Sequence, residues 1–264
     1  MEFNPIKCES LTVTRKRSPV IYHYSLHGLT LNRVKSTKYL GITITSDLNV
    51  NKHIGQITGK ANQALGFVKR NIKTRSRKVK TLAYKALVRP RLEYCASVWA
   101  PHTQSADHRL EMVQRRAARY VLRRYHNTSS VSDMLVMLDW PTLAQRRVCL
   151  RLTLLYKITY QLVAIPPHLY MTPHTTRTRT HTLSYLPYRC NTNQFKYSFF
   201  PHTIPLWNSL PSPIVSASSN NVFKTAVFQH VCSLSPLSPW NPWTFKIALF
   251  MLALAPMLCF TRCI

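Results

Sequence analysis

Metal-dependent or acid–base chemistry needs carboxylates, and this chain has few of them. Its 264 residues hold 8 Asp and Glu against 36 Lys and Arg. A two-metal phosphoryl-transfer centre requires paired carboxylates that keep both ions close together. No Asp-Asp pair occurs, and only Glu2, Glu9 and Asp47 precede residue 50. Asp107 and Glu111 share a helix face at i and i+4, the spacing of a metal pair. Glu111 also lies four residues before Arg115, and a surface ion pair is the plainer reading. His174, His181 and Cys190 are metal-ligand types whose spacing fits no closed zinc site, so they read as a polar loop. The seven cysteines (Cys8, Cys95, Cys149, Cys190, Cys232, Cys259 and Cys263) include no CxxC pair. They read as reduced, mostly buried thiols of an intracellular protein. The expectation is therefore no catalytic residue, no metal ligand and no cofactor in this chain.

What the composition favours instead is charge. A net +28 would repel itself in a compact state, and a polyanionic partner relieves that. Nucleic acid comes first and an anionic membrane surface second. Residues 52–160 carry 22 Lys and Arg against five acids, and no acid follows Asp139. Seven basic residues fall within Lys69 to Lys80, and Arg109, Arg115, Arg116, Arg119, Arg123 and Arg124 crowd residues 105–125. A solvated basic face is the bland reading. The functional reading is phosphate contact by Lys69, Arg70, Lys73, Arg77, Arg115, Arg116 and Arg119, which needs only positive charge along a groove. Tyr39, Leu40 and Gly41 form a tight turn that would set backbone and an aromatic edge against the polyanion. Trp99, Tyr120, Trp140 and Trp207 fall on apolar stripes and read as core, with Tyr39 the exception.

Several elements must position these side chains. Leu11 and Val13, Val20 to Leu26, and Tyr39 to Ile44 alternate or cluster as β-formers, with His27-Gly28 as a turn. A small antiparallel element is expected over residues 1–48. Ile54, Ile57, Ala61, Ala64, Leu65, Val68 and Ile72 then switch to a helical period. Gly55, Gly59 and Gly66 weaken that helix but permit close approach of another backbone. Ser76 caps a second helix ending near Pro90, and Leu92 to Trp99 makes a third. Residues 105–125 form the clearest helix. Residues 130–138 form a short one, and Thr142 caps another running to about Val163, with Leu150 and Leu162 inward. Residues 171–182 read as a flexible basic loop. Phe195 to Phe200 looks strand-like, the prolines around Trp207 look extended, and residues 219–231 look helical. Ile247 to Phe260 is apolar but shorter than a membrane span and contains Pro256.

The order of short motifs resembles the C-terminal part of the reverse transcriptase of non-LTR retrotransposons, of LINE, jockey-like or CR1-like type. The resemblance begins at Phe3-Asn4-Pro5 and Lys7-Cys8. Lys38-Tyr39-Leu40-Gly41 is similar to the family's primer-grip hairpin. It continues through Asn51-Lys52-His53-Ile54, Lys60-Ala61-Asn62, Leu65-Gly66-Phe67 and Tyr84-Lys85 to Leu87-Val88-Arg89-Pro90 and Val98-Trp99. Further on come Val113 to Arg119, Trp140-Pro141 and Leu155 to Ile158. Phe199-Phe200-Pro201 with Trp207-Asn208 looks like the C-terminal signature. The resemblance implies a palm-edge remnant over 1–48, a helical thumb-like domain over 49–163, and a C-terminal region with a basic loop over 164–232. Residues 233–264 make an apolar tail outside the resemblance.

The family carries two catalytic Asp residues in an aromatic-x-Asp-Asp turn upstream of the matched region. The expectation is thus a truncated RNA-directed DNA polymerase that keeps nucleic-acid-binding elements and is inactive alone. Mg2+ would belong only to the full parent enzyme. The partners implied are RNA or DNA without sequence preference, and the missing polymerase half. An intracellular, nuclear location follows if the protein functions. The alternative is a basic membrane-associated protein anchored by the apolar tail. The fold class expected is mainly α, with a small N-terminal antiparallel β element, a thumb-like bundle and a poorly ordered C-terminal region.

Overall fold

Two pairs of positive-φ residues organise the N-terminal segment. His27-Gly28 (φ 51 and 76) and Leu40-Gly41 (φ 45 and 86) are each the two central residues of a tight hairpin. Positive φ at both positions matches the right-handed twist of the flanking strands. The first turn joins β2 (Ser25–Leu26) to β3 (Leu29–Thr30), while β1 (Glu9–Ser10) pairs in parallel with β4 (Asn32–Arg33). The second joins β5 (Ser36–Tyr39) to β6 (Ile42–Thr45) over four residue pairs. The expected antiparallel element is therefore concentrated at residues 36–45. Val20, Ile21 and Tyr22 are exposed and outside any strand.

The computed structural model describes residues 4–14, 16–126, 128–174 and 181–234. Half of the basic loop at 171–182 (residues 175–180) and nearly all of the apolar tail lie outside the described residues. Poor order was expected of the C-terminal region beyond residue 163; its described residues include four α-helices, and residues 235–264 lie outside the described residues. Among the described residues, helix accounts for 56% and strand for 8%, which makes the fold mainly α.

The first core is built from α1 (Asn51–Asn71), α2 (Arg77–Ala83), α3 (Arg89–Glu93), α4 (Ala96–Trp99), α5 (Gln104–Leu122) and α6 (Val131–Met137). Ser76 and Ser130 cap α2 and α6 by accepting from Val79 N and Asp133 N. Pro90 does not end the helix it follows. A π-turn over Tyr84–Val88 precedes it, and Arg89 N donates to Tyr84 O five residues back. The wider turn accommodates a residue with no N–H to offer. The expected helix from Leu92 to Trp99 is broken at Cys95, where φ is 50. Trp99 and Tyr84 are fully buried. Tyr84 stacks on Trp140 at 4.4 Å and donates to Gln114 Oε1 at 2.8 Å.

The helix α7 (Leu143–Thr159) belongs to two cores. Its capping box pairs Thr142 with Gln145. Leu143 packs in the first core, and Leu152, Leu155, Tyr156 and Ile158 pack in the second. Leu150 points outward instead of inward, because both flanks of α7 are covered and the remaining face meets water, and Leu162 is exposed because the helix ends at Thr159 rather than near Val163. The second core is closed by α9 (Phe199–Asn208), α10 (Ser212–Val215) and α11 (Asn220–Leu234), with the short α8 (Asn193–Lys196) leading into α9. The strand expected at Phe195 to Phe200 and the extended stretch around Trp207 are thus helical. Pro201 sits in the first turn of α9, where its missing N–H costs nothing. Thr203, Ile204 and Trp207 lie on one buried helical face, and that packing overrides the cost of Pro205. Arg151 ties α7 to α9, donating to Thr203 Oγ1 at 3.2 Å and Ser198 O at 2.7 Å. Burial lowers its guanidinium to about 10.

Candidate nucleic-acid interface

The helices α1 and α5 run side by side in the same direction, and a row of arginines follows their seam. On α1, Gly55, Gly59, Asn62, Gly66 and Lys69 recur at three- and four-residue steps, one stripe of the helix. On α5, Arg109 and Arg116 are seven residues apart, and Arg123, its C-cap, lies seven further on. Seven residues advance a helix by about 10 Å. Each arginine meets the α1 strip at a matching height. Arg109 Nη2 lies 3.1 Å from where a Cβ on Gly55 would stand. Arg116 Nη1 donates to Asn62 Oδ1 at 3.2 Å, and Arg123 Nη2 donates to Lys73 O at 3.3 Å. The glycines therefore do not admit a second backbone. Gly55 makes room for a guanidinium, and Gly59 faces open space.

The residues expected to contact phosphate divide around this seam. Lys69, Arg70, Lys73, Arg77 and Arg116 are exposed. Burial and then the neighbouring Arg116 lower the Lys69 ammonium, so two like charges share one stretch of the seam. Arg70 lies along Gly66, with Nη1 3.4 Å from its virtual Cβ. Arg119 is half-buried, and Arg115, also half-buried, is about 100° further round α5 than Arg116 and turned away from α1. Lys80 is the exception within the basic run. It is buried, donates to Tyr120 O at 3.4 Å and sits 4.6 Å from the Tyr120 ring centre. Reading single residues missed Arg109, Arg123 and Asn62 as a unit. Their seven-residue repeat was the signal available.

The acids that could neutralise this seam are engaged elsewhere. Glu93 accepts from both Arg146 Nε and Arg146 Nη2, with Arg89 3.8 Å away. Asp107 pairs with Arg147. Glu111 does not pair with Arg115 as expected from its spacing; its Oε1 accepts from Ala144 N at 2.9 Å, in the first turn of α7. A carboxylate there satisfies an N–H that the helix cannot and meets the positive end of its dipole. Asp107 and Glu111 thus fasten α7 to α5, and the face of α1 and α5 keeps its charge. Among the described residues, no group of three His, Cys, Asp or Glu could hold a metal ion. His181 is buried against Trp207, with Nε2 3.1 Å from its carbonyl oxygen.

The hairpin turn of β5 and β6 is pinned to the first core at two points. Tyr94 Oη donates to Leu40 O at 3.1 Å, and the Tyr94 ring covers Gly41. His53, buried on α1, accepts from Thr43 N through Nδ1 at 3.2 Å. Burial, aided by Lys60, lowers the His53 imidazole, which keeps it neutral and able to accept. The Gly41 backbone therefore faces Tyr94 rather than a polyanion. The Tyr39 and Leu40 side chains are 64% and 73% exposed and remain presentable. Gly41→Ala adds a Cβ 3.1 Å from Tyr94 Cε1 at a φ of +86. The expected loss is about 1–2 kcal/mol in a urea titration. An unchanged midpoint would show that Tyr94 does not hold the turn.

Two half-buried groups give opposite pH dependences. Burial raises the Glu111 carboxyl from 4.5 to about 7, with Arg147 opposing. Its contribution to stability is complete below pH 4.5 and is lost as pH rises through 7. Burial lowers the His202 imidazole from 6.5 to about 4, with Arg151 and Lys196 adding to the effect. Its contribution is complete above pH 6.5 and is lost as pH falls towards about 4. Each is on the order of 3 kcal/mol, and the windows nearly coincide, so they cancel. Glu111→Gln keeps an acceptor for Ala144 N and removes only the first. Its unfolding midpoint is expected to fall steadily from pH 6.5 to 4, while the parent's stays nearly flat. Parallel curves for the two proteins would contradict this balance.

No protein-family model matches the chain, and neither a curated protein nor a solved structure does. Among the described residues, no helix is long and apolar enough to cross a membrane.

Proposed function

We propose that this chain is a nucleic-acid-holding fragment of a non-LTR retrotransposon reverse transcriptase, with its thumb-like part over residues 49–163. Its function is to grip the backbone of duplex or hybrid nucleic acid without reading sequence. The observation that carries this is the α1–α5 seam, where Arg109, Arg116 and Arg123 line up at about 10 Å intervals beside Lys69 and Lys73. The arginines sit over a glycine-bearing strip, and the nearby carboxylates are turned inward. Guanidinium and ammonium groups so placed position a backbone and carry no base information. The motif order supports the family assignment, with Tyr39 and Leu40 at the exposed tip of a primer-grip-like hairpin. Strand synthesis would need carboxylates and Mg2+ from the rest of the parent enzyme.

The test compares two 20-base-pair duplexes of unrelated sequence in a gel shift at 50 mM salt, followed by a primer-extension assay with Mg2+. Both duplexes are expected to bind equally and neither primer to be extended. Absence of binding, or a tenfold preference for one sequence, sinks the proposal.

A further inference from the structure

A second surface, on the other core, carries aromatic rings that the phosphate-gripping seam does not use. Tyr170, Tyr188 and Phe195 are each between 38% and 44% exposed, whereas Trp207 and Phe223 in the same core are fully buried. The exposed rings form one connected group. Tyr170 stacks on Phe200 with centroids 4.9 Å apart and planes within 3°. Tyr188 donates from its hydroxyl to Tyr170 O, which fixes its ring beside the stack. Phe195 meets Tyr188 edge to face at 5.5 Å. Contiguous exposed rings of this size mark a contact surface rather than a core margin.

The chemistry around the rings selects the occupant. Arg189 follows Tyr188 directly and Lys196 follows Phe195, and both are exposed. No acid occurs after Asp139 to cancel them. Flat faces beside exposed cations fit unpaired bases with their phosphates alongside. Duplex bases, already stacked on each other, cannot use such faces.

We propose that Tyr170, Tyr188 and Phe195, with Arg189 and Lys196, form a stacking platform for single-stranded nucleic acid. It rests on the preceding reading only in taking nucleic acid as the polyanion. Its rings lie on α8 and on the segments before it and use no residue of α1 or α5, although Tyr197, beside Lys196, stacks on His102 just ahead of α5 at 4.7 Å.

The experiment measures fluorescence anisotropy of the full chain with a 12-nucleotide oligothymidylate and with a 20-base-pair duplex at 0.1 M salt. Phe195→Leu keeps an apolar side chain and disturbs no hydrogen bond of that ring. Tyr188→Leu also removes the bond to Tyr170 O, and a thermal melt of each variant checks its fold. Each substitution is expected to weaken oligothymidylate binding about tenfold and leave duplex binding unchanged. Unchanged oligothymidylate affinity in a folded Phe195→Leu variant overturns the platform and leaves the seam standing. Equal losses on both probes overturn it as well. Competition by an apolar peptide but not by unlabelled oligothymidylate would assign the rings to a protein partner and overturn it. Failure of the parent chain to bind either probe removes both proposals together.

Discussion

Replacing Arg109, Arg116 and Arg123 together with glutamine is expected to weaken duplex binding about 500-fold at 0.1 M salt. Each phosphate neutralised releases counterions and adds about 0.9 to the log–log salt slope. Between 1 M and 0.1 M salt that is worth about 0.9 decades per contact, and three contacts give about 2.7 decades. Glutamine keeps length and hydrogen-bonding capacity, so the loss reports charge. The native fold should survive, because all three side chains are exposed. Their partners are Asn62 and the exposed carbonyls of Lys73 and Thr74 at the end of α1. Lys224→Gln on α11 is the matched control, exposed but remote from the seam, and is expected to change affinity less than twofold. A triple variant that binds as tightly as the parent would place the interface elsewhere.

Trp207→Ala is expected to cost about 4 kcal/mol of stability. The ring is fully buried at the centre of the second core, tilted against Phe223 at 5.8 Å. Its indole N–H donates to Leu183 O at 2.8 Å, which pins the segment entering α8 to α9. Removing it leaves a large cavity and an unpaired carbonyl. Leu150→Ala on the exposed face of α7 is the contrast, expected within about 0.5 kcal/mol. Chemical unfolding of both variants measures the difference. A shift under about 1 kcal/mol for Trp207→Ala would mean that residues 181–234 do not form a packed core.

Much of the first core was legible because its signals are local. Ile54, Ala61, Leu65 and Val68 repeat with the helical period, and Leu110, Val113 and Ala117 do the same. Ser76, Ser130 and Thr142 announce their helices with an oxygen three residues before a free N–H. Gly28 and Gly41 mark the two hairpin turns in the same local way. The second core was harder to see. Phe199 to Trp207 contains two prolines and β-forming aromatics, and only burial against α7 makes it helical. Leu150 was misplaced because α7 is covered on two sides, which one apolar stripe cannot express. In the site, charge density on α5 was plain, but the pairing of Arg116 with Asn62 spans 54 residues and depends on how two helices align. Glu111 looked like a partner for Arg115 until α7 placed its N-terminus nearer.

The salt dependence of duplex binding by the unaltered chain addresses the central claim most directly. About six phosphate contacts along the α1–α5 seam predict a log–log slope near −5 between 50 and 200 mM salt. A slope near zero, with binding intact, would show that the arginine row does not meet phosphate and would contradict the account.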